Sequence, residues 1–292
     1  MANDKVLFLD TTLRDGEQSA GIGMTGAEKM EIARQLQRMQ VDIIEAGFAA
    51  SSPGDFEAIS NIAKEVKGPV IASLARAHPN DVDQAWRAVE HSERPRIHVF
   101  LSSSEIHQLH QLRKNREEVM EMAVNMVERA KGYCPDVEFS PMDATRTNPE
   151  YLYQMLTEVI RAGATTINIA DTVGYAIPSA TGFAKLLRDI QANVPGIENI
   201  VMSVHCHNDL GLAVANSLTA VEVGARQVEG CINGIGERAG NASLEEIIMA
   251  MDTRKDHFGL DIGIDTTQIY SSSRMVSRIT GMAVQANKAV VG

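Results

Sequence analysis

The sequence has few of the residues that build disulfide-rich or membrane-spanning proteins. It contains three cysteines, one tryptophan and 4% aromatic residues among 292 residues. Cys134, Cys206 and Cys231 form no CxxC motif and no disulfide pattern, which favours a reducing compartment. No apolar run reaches the roughly 20 residues of a membrane helix, and strand-like Val6–Leu9 begins the chain without a signal peptide. We therefore expect a cytoplasmic protein with no membrane partner.

Positive charge is also scarce in this chain. Lysine and arginine total 27 against 38 aspartate and glutamate residues, which gives a net charge of −11 and a pI near 5.2. This balance argues against a nucleic-acid partner or an anionic membrane surface. A local basic pocket for a small phosphorylated ligand stays open. Apolar residues at 44% and charged residues at 22% are typical of a globular protein with a sizeable core.

Short apolar runs alternate with longer amphipathic segments along the chain. The runs lie at about 5–10, 42–46, 69–74, 96–101, 136–140, 165–170, 200–206 and 226–230. The amphipathic segments lie near 26–40, 53–66, 79–91, 116–132, 149–162, 178–194, 210–223 and 243–257. Eight such units predict an α/β fold, a (β/α)8 TIM barrel. A doubly wound open sheet is the alternative, but the segment after the first strand (Asp10–Asp15) is not the Gly-rich turn typical of that fold.

The rhythm also predicts how the chain is divided. We expect residues 1–262 to form the catalytic barrel. Residues 263–292 would begin a linker or subdomain as a short C-terminal helical extension, with one helix over Gln268–Thr280.

Two histidines end the seventh predicted strand, in the segment Ser203–Asp209. Side chains two residues apart on a strand point to the same side, so His205 and His207 form a possible metal-binding pair. Active sites of such barrels gather at the C-terminal ends of the strands, and the eighth strand neighbours the first. We therefore expect Asp15 and Asn241 to join the histidines. This donor set suits Mg²⁺, Mn²⁺, Co²⁺ or Zn²⁺; the alternative is a polar rim in which Asp15 pairs with Arg14.

Five motifs spread over essentially the whole chain carry a resemblance to a known family. They are Leu13–Gln18, Asp42–Phe48, Asp171–Tyr175, Ser203–Gly211 and Asn233–Asn241. Together they resemble the isopropylmalate and homocitrate synthase family, which are metal-dependent acyltransferases on a TIM barrel. The similarity is closest to the 2-isopropylmalate synthase branch.

The resemblance implies a Claisen-type condensation of acetyl-CoA, as co-substrate, with a 2-oxo acid, followed by thioester hydrolysis. The expected acceptor is 2-oxoisovalerate, which gives 2-isopropylmalate for leucine biosynthesis. Carried over by motif, the metal ligands are Asp15, His205, His207 and Asn241. Arg14 would stabilise the developing alkoxide, and Glu237 is a candidate base or a hydrogen-bond partner of a ligand. The resemblance also implies a homodimer.

Four further residues are expected at the substrate. His98 and Thr172 would contact the 2-oxo acid, while Glu45 and Gln18 would support the metal ligands. The alternative for His98, Glu45 and Thr172 is ordinary filling of the barrel mouth.

Some positions depart from the family pattern. Met142 stands where a Glu is usual, and a thioether exchanges no proton, so that role would be lost or transferred to Asp143. Leu101–Ser103, Ala49 and Ala170 differ too, and we expect these departures at the mouth, where the acceptor is chosen. They leave open another acceptor, such as phenylpyruvate (benzylmalate synthase-like) or pyruvate (citramalate). A dicarboxylic acceptor is disfavoured, because the homocitrate branch has Arg where this chain has Glu138.

Family members continue into a linker, a helical subdomain that gives a catalytic His across the dimer, and usually a leucine-sensing domain. For this chain we expect weak or no turnover despite metal and 2-oxo acid binding. Two other classes stay open: a lyase like hydroxymethylglutaryl-CoA lyase, which has a catalytic Cys in a longer Gly-rich loop, and a non-catalytic metal- or ligand-binding barrel.

Overall fold

Eight parallel strands close into a barrel in the computed structural model, which describes residues 5–292. The strands are β1 (Lys5–Asp10), β2 (Ile43–Glu45), β3 (Val70–Arg76), β4 (Pro95–Ser102), β5 (Val137–Met142), β6 (Thr166–Asp171), β7 (Val201–Cys206) and β8 (Gln227–Gly230). The barrel closes because Leu9 of β1 is in register with both Ile43 and Glu229. A short ninth strand, β9 (Asp261–Ile262), pairs with the start of β1. The predicted (β/α)8 barrel is confirmed.

Helices surround the barrel in the predicted alternation. They are α1 (Gly26–Arg38), α2 (Pro53–Glu65), α3 (Pro79–Val89), α4 (Glu105–His107), α5 (Arg116–Tyr133), α6 (Pro149–Arg161), α7 (Phe183–Asn193), α8 (Ala213–Glu222), α9 (Leu244–Thr253), α10 (Lys255–Phe258) and α11 (Ile269–Thr280). The helices predicted to begin near 178 and 210 start later, because the residues before them form loops at the mouth. The short α4 and the π-helical turn Gln108–Leu112 were not predicted.

Local signals explain where the first helices begin. Thr25 accepts a hydrogen bond from the Glu28 amide, and the Glu28 carboxylate accepts one from the Thr25 amide, which forms a capping box. Ser52 caps α2, and Pro53 occupies its first turn. Together these caps fix where the chain leaves the loops after two neighbouring strands.

The C-terminal helix packs on the outside of the barrel. Gln35 of α1 donates hydrogen bonds to Ser271 and Ser272 of α11, 3.0 Å each. This confirms the predicted helical extension. No helix in the described part of the chain, residues 5–292, has the length and apolar character needed to cross a bilayer.

Strand alternation divides the side chains between two environments. Residues that face the helices are apolar and fully buried, among them Phe8, Ile44, Val99, Phe139 and Val204. Residues that face the barrel axis differ around the ring. At the deeper positions of β1 to β3 they form a small apolar cluster of Leu7, Leu9, Ile43, Val70 and Ala72, whereas Glu45 at the end of β2 is polar. On β4 to β8 they are mostly polar, and together with Glu45 and the loop after β1 these strands carry the site.

Candidate active site

A cavity opens at the C-terminal ends of the strands. It encloses about 160 Å³. Its lining residues are Arg14, Asp15, Gln18, Leu74, His98, Phe100, Ser140, Met142, Asn168, Ala170, Thr172, His205, His207, Glu229 and Glu237. The predicted site residues Glu45 and Asn241 lie behind this surface. All other predicted site residues line the cavity.

Three predicted metal ligands converge at the seam where the barrel closes. The Nε2 atoms of His205 and His207 lie 3.0 Å apart. Asp15 Oδ2 lies 3.9 Å from His205 Nε2 and 3.8 Å from His207 Nε2. All three side chains are buried. The closure of the barrel therefore brings together donors that are distant in sequence.

The fourth predicted ligand, Asn241, is placed beside this group in a supporting orientation. Its amide nitrogen donates to Asp15 Oδ2 at 2.5 Å, and its amide oxygen accepts from the backbone N–H of Cys231 at 2.9 Å. In this orientation Asn241 presents a donor and holds the Asp15 carboxylate. An oxygen ligand at this position would require the amide to turn and give up the Cys231 contact.

The donor chemistry fits a divalent metal ion. Asp15 Oδ1 is buried and has no hydrogen-bond partner among the described residues. Burial and the neighbouring His205 lower the pKa of His207 to about 4, so this ring stays neutral and can donate its lone pair. Burial opposes ionisation of Asp15, but the charges of Arg14 and His205 lower its pKa overall. One carboxylate and two imidazole nitrogens can hold a divalent metal ion at this point.

Below these ligands, six side chains from six different βα units form a closed hydrogen-bonded ring, here called the polar ring. In order around it they are Arg14, Glu45, His98, Ser140, Asn168 and Glu229. The distances between successive members, in the same order, are 2.6, 2.6, 2.6, 3.0 and 2.7 Å. The ring closes with a hydrogen bond of 2.8 Å from Arg14 to Glu229. The polar ring forms the floor of the cavity, and its members fix each other's orientation.

Charges within the polar ring are balanced. Burial disfavours a charged imidazole, but the carboxylates of Glu138 and Glu45 raise the pKa of His98 to about 9. Glu45 accepts from His98 Nδ1, and Ser140 contacts Nε2, so both ring nitrogens are in use. A direct hydrogen bond from His98 to a substrate would need one of these contacts to break. The Ser140 hydroxyl, which contacts His98 Nε2, also lines the cavity and can offer a substrate a polar contact in place of His98.

A second group of possible ligands lies deeper in the barrel. His98, Glu138 and Glu229 approach one another closely enough to hold an ion. Their polar atoms already have protein partners, which are Glu45, Ser140, Arg96, Gln227, Arg14 and Asn168. The polar contacts of this group are therefore explained without a metal.

Thr172 and Glu237 lie at the rim of the cavity. The Thr172 hydroxyl accepts from the Asp143 backbone N–H at 2.8 Å. Glu237 is half exposed, and its carboxylate lies 3.1 Å from Arg238 Nη1. Arg238 pairs through two nitrogens with Asp209, at 2.8 and 2.9 Å, which ties the Gly-rich loop of this chain (residues 233–241) to the loop after β7. Glu237 thus stands on a restrained loop at the cavity entrance.

Two interpretations of the departures from the family pattern are wrong. Glu138 lies below the cavity, where Arg96 and Gln227 bind its two oxygens at 2.8 Å each, so it does not face an acceptor. Asp143 does not replace a carboxylate at position 142, because Arg146 binds both of its oxygens at 2.8 Å and Asp143 is not among the residues that line the cavity.

Of the other departures from the family pattern, some line the cavity and some do not. Met142 and Ala170 line the cavity, as expected, whereas Ala49 and Leu101–Ser103 do not.

Several cavity residues were missed from the sequence. They are Leu74, Phe100, Ser140, Asn168 and Glu229. Each has the strand parity that faces the barrel axis, as His98 and His205 do. Counting two residues on from His98 would have placed Phe100 on the axis-facing side, whereas the other four lie on strands whose register the sequence does not display.

Known proteins match this chain in sequence over nearly its whole length. Residues 5–276 match the HMGL-like family. The 2-isopropylmalate synthase of Syntrophus aciditrophicus is 60% identical over 288 residues, which cover 99% of this chain and 55% of that protein. The 2-isopropylmalate synthase of Ruminiclostridium cellulolyticum is 58% identical over 287 residues, covering 98% of this chain and 56% of that protein.

A solved structure shows the same fold at low sequence identity. The HMG-CoA lyase of A. baumannii, in complex with coenzyme A and 3-methylmalate, superposes with a TM-score of 0.81 at 21% identity, over 99% of this chain and 96% of that one. This chain spans about half the length of the curated relatives it matches. The barrel, the converging donors and the match over nearly the whole chain lead to one conclusion: the chain belongs to the HMGL-like family.

Proposed function

We propose that this chain carries the catalytic barrel of an acyltransferase that condenses acetyl-CoA with a 2-oxo acid, most specifically 2-oxoisovalerate to give 2-isopropylmalate. The observation that carries the proposal is the convergence of Asp15, His205 and His207 beside Arg14 in one cavity. The identity of 58–60% to 2-isopropylmalate synthases supports the choice of reaction.

The cavity has two chemically different sides that suit such an acceptor. One side carries the metal donors and Arg14. The other is lined by Leu74, Phe100, Met142 and Ala170. A 2-oxo acid with an apolar side chain has the same division, because its carboxylate and keto oxygens lie at one end and its alkyl group at the other. Burial of that alkyl group against the apolar side favours binding.

The reaction forms a carbon–carbon bond between the acetyl methyl carbon and the keto carbon. The methyl loses a proton to a base, the keto oxygen becomes a hydroxyl, and water then cleaves the thioester into a carboxylate and the free thiol of CoA. Arg14 remains positively charged, since Glu45 and other carboxylates raise its pKa despite burial. Its fixed guanidinium would stabilise negative charge on the keto oxygen. Glu237 is our candidate for the base.

Asp15, His205 and His207 would hold the ion, with Asn241 as a support or fourth ligand. A bound divalent ion would polarise the keto group. We propose Mn²⁺, Mg²⁺, Zn²⁺ or Co²⁺, because mixed nitrogen and oxygen donors accept all four. Gln18 and Thr172 would contact the substrate from the cavity wall, with the His98 contact relayed through Ser140.

A lyase running related chemistry is the alternative, and the cysteines argue against it. Cys231 is the cysteine nearest the Gly-rich loop, and it is fully buried. Burial raises the pKa of its thiol well above the usual value, and its sulfur accepts from the Asn241 amide at 3.1 Å. Such a thiol is unsuited to acid–base work at the mouth. We therefore prefer the synthase reaction.

The test combines a binding and a turnover measurement on the 292-residue chain. Calorimetric titration with 2-oxoisovalerate, pyruvate, phenylpyruvate and 2-oxoglutarate, with and without Mn²⁺, should show metal-dependent binding of a monocarboxylic acceptor. Thiol release from acetyl-CoA should be weak. His205→Ala should abolish binding, whereas His257→Ala, on an exposed helix, should not. Absence of binding for every 2-oxo acid would contradict the proposal; robust turnover would support the reaction and contradict only the expected weakness.

Acceptor choice is the part of the proposal that depends on Met142. Its thioether lines the cavity, so Met142→Glu should weaken binding of acceptors with long apolar side chains. An unchanged order of affinities across the four acids would exclude a selective role for position 142.

Three further proposals concern the wider protein. Residues 263–292 begin a linker or subdomain, which is supported by the packing of α11 outside the barrel wall. The active form is a homodimer. The three free, buried cysteines support a reducing, cytoplasmic location.

A further inference from the structure

Glu229 occupies a central position between the metal donors and the polar ring. It lies on β8, is 1% exposed and lines the cavity. Its Oε1 lies 2.8 Å from Arg14 Nη2 and 3.1 Å from His205 Nδ1. Its Oε2 accepts a hydrogen bond from Asn168 Nδ2 at 2.7 Å. One carboxylate therefore contacts the arginine and a metal donor at the same time.

The His205 contact is the one that matters most for metal binding. His205 Nδ1 has no aligned hydrogen bond within the described chain, and the Glu229 carboxylate lies 3.1 Å from it. An imidazole binds metal through one nitrogen, and a partner on the other nitrogen fixes its tautomer and its direction. With Nδ1 facing Glu229, the lone pair of Nε2 is left to point towards Asp15 and His207.

Glu138 provides an internal comparison. It is also fully buried, faces the barrel axis and binds an arginine, Arg96, at 2.8 Å. It contacts neither Arg14 nor His205, and it does not line the cavity. The two glutamates therefore share burial and an arginine partner, but they differ in which other side chains they contact.

We propose that Glu229 is a positioning residue, whose carboxylate orients His205 for metal binding and fixes the guanidinium of Arg14 beside it. The inference rests on the proposed metal site. Asn168 contributes by holding the second carboxylate oxygen, so that Glu229 has one orientation. Glu229 itself touches neither the metal nor the reacting atoms in this arrangement.

The test is a titration of the metal-free protein with Co²⁺, followed by the visible absorption of the bound ion, in wild type, Glu229→Gln, Glu229→Asp and Glu138→Gln. Glu229→Gln should weaken Co²⁺ binding about 10–100-fold, the range found for partners of metal-bound histidines. Glu229→Asp, which keeps the charge, should recover part of this loss. Glu138→Gln should bind Co²⁺ within about twofold of wild type, even if both Gln variants unfold at lower temperature.

The outcomes of the Co²⁺ titration distinguish a positioning role of Glu229 from general destabilisation and from failure of the metal site. Equal affinity of Glu229→Gln and wild type would overturn the inference, and so would an equal loss in Glu138→Gln, because the effect would then be general destabilisation. If Glu229→Gln does not fold, the comparison of Glu229→Asp with Glu138→Asp decides in the same way. Failure of the wild type to bind Co²⁺ would instead contradict the proposed metal site itself.

Discussion

The two halves of the barrel interior are built on opposite principles. At the deeper positions of β1 to β3 the axis is filled by Leu7, Leu9, Ile43, Val70 and Ala72, which meet by apolar packing, while Glu45 at the end of β2 belongs to the polar ring. On β4 to β8 it is filled by polar side chains, each with a defined partner, such as the pair of Arg96 with Glu138. Apolar packing specifies volume and leaves direction loosely set, whereas hydrogen bonds and ion pairs specify direction.

The difference explains where the site lies. A metal ligand or a charge-stabilising arginine works only if its polar atoms point the right way. Those atoms belong to side chains tied into the polar ring or in contact with it. The apolar half would instead contribute stability through packing, without setting the direction of the polar atoms. Breaking either half should lower stability, but only the polar half should also change metal binding.

The largest effect is expected from Arg14→Met. This change leaves the buried carboxylates of Glu45 and Glu229 without their shared cation, and an unpaired buried charge costs about 3–5 kcal/mol. We expect a loss of this size in the free energy of unfolding by urea, together with weaker 2-oxo acid binding. A loss below about 1 kcal/mol would mean that the two carboxylates are neutralised in another way.

The matched change in the apolar half is Leu9→Ala. Leu9 is fully buried, so its truncation should cost about 3 kcal/mol through lost burial and a cavity. Co²⁺ affinity of the folded protein should stay at the wild-type value. If Leu9→Ala lowered Co²⁺ affinity as well as stability, the apolar cluster would also affect the metal site, which would contradict the separation of the two halves.

A smaller effect concerns pH and His98. Its pKa in the folded protein is raised to about 9, whereas the ordinary value is 6.5, mainly by Glu138 and Glu45 acting against burial. The stability that this group contributes is therefore fully present below pH 6.5 and is lost as the pH rises through 9. Relative to His98→Gln, the wild type should lose up to about 3 kcal/mol between pH 6 and 9.5, measured by urea unfolding. Parallel curves for the two proteins would contradict the charged state of His98.

The smallest effect is expected at the rim, from Arg238→Gln. The Arg238–Asp209 pair is partly exposed, so its loss should change unfolding free energy by less than about 1 kcal/mol. Proteolysis of the loop 233–241 should nevertheless become faster, because this pair ties the loop to its neighbour. An unchanged cleavage rate would show that the glycines and backbone contacts hold the loop by themselves.

The alternation of strands and helices could be predicted from the sequence, and so could the proximity of Asp15 to His205 and His207. The first follows from the apolar periodicity, and the second follows from strand alternation and barrel closure. The polar ring could not be predicted from the sequence. Which inward side chains meet across a barrel depends on strand tilt and register, which a single sequence does not display. The error over Glu138 has this origin, since a position two residues below Ser140 lies one layer deeper. The helical insert at 105–112 was missed because it is too short for a periodic signal.

We propose that the closing seam of the barrel binds one divalent ion. Crystals of the 292-residue chain grown with Mn²⁺ and measured at a wavelength where manganese scatters anomalously test this most directly. A single strong anomalous peak is expected between Asp15, His205 and His207. An empty seam, with manganese absent or bound elsewhere, would contradict it.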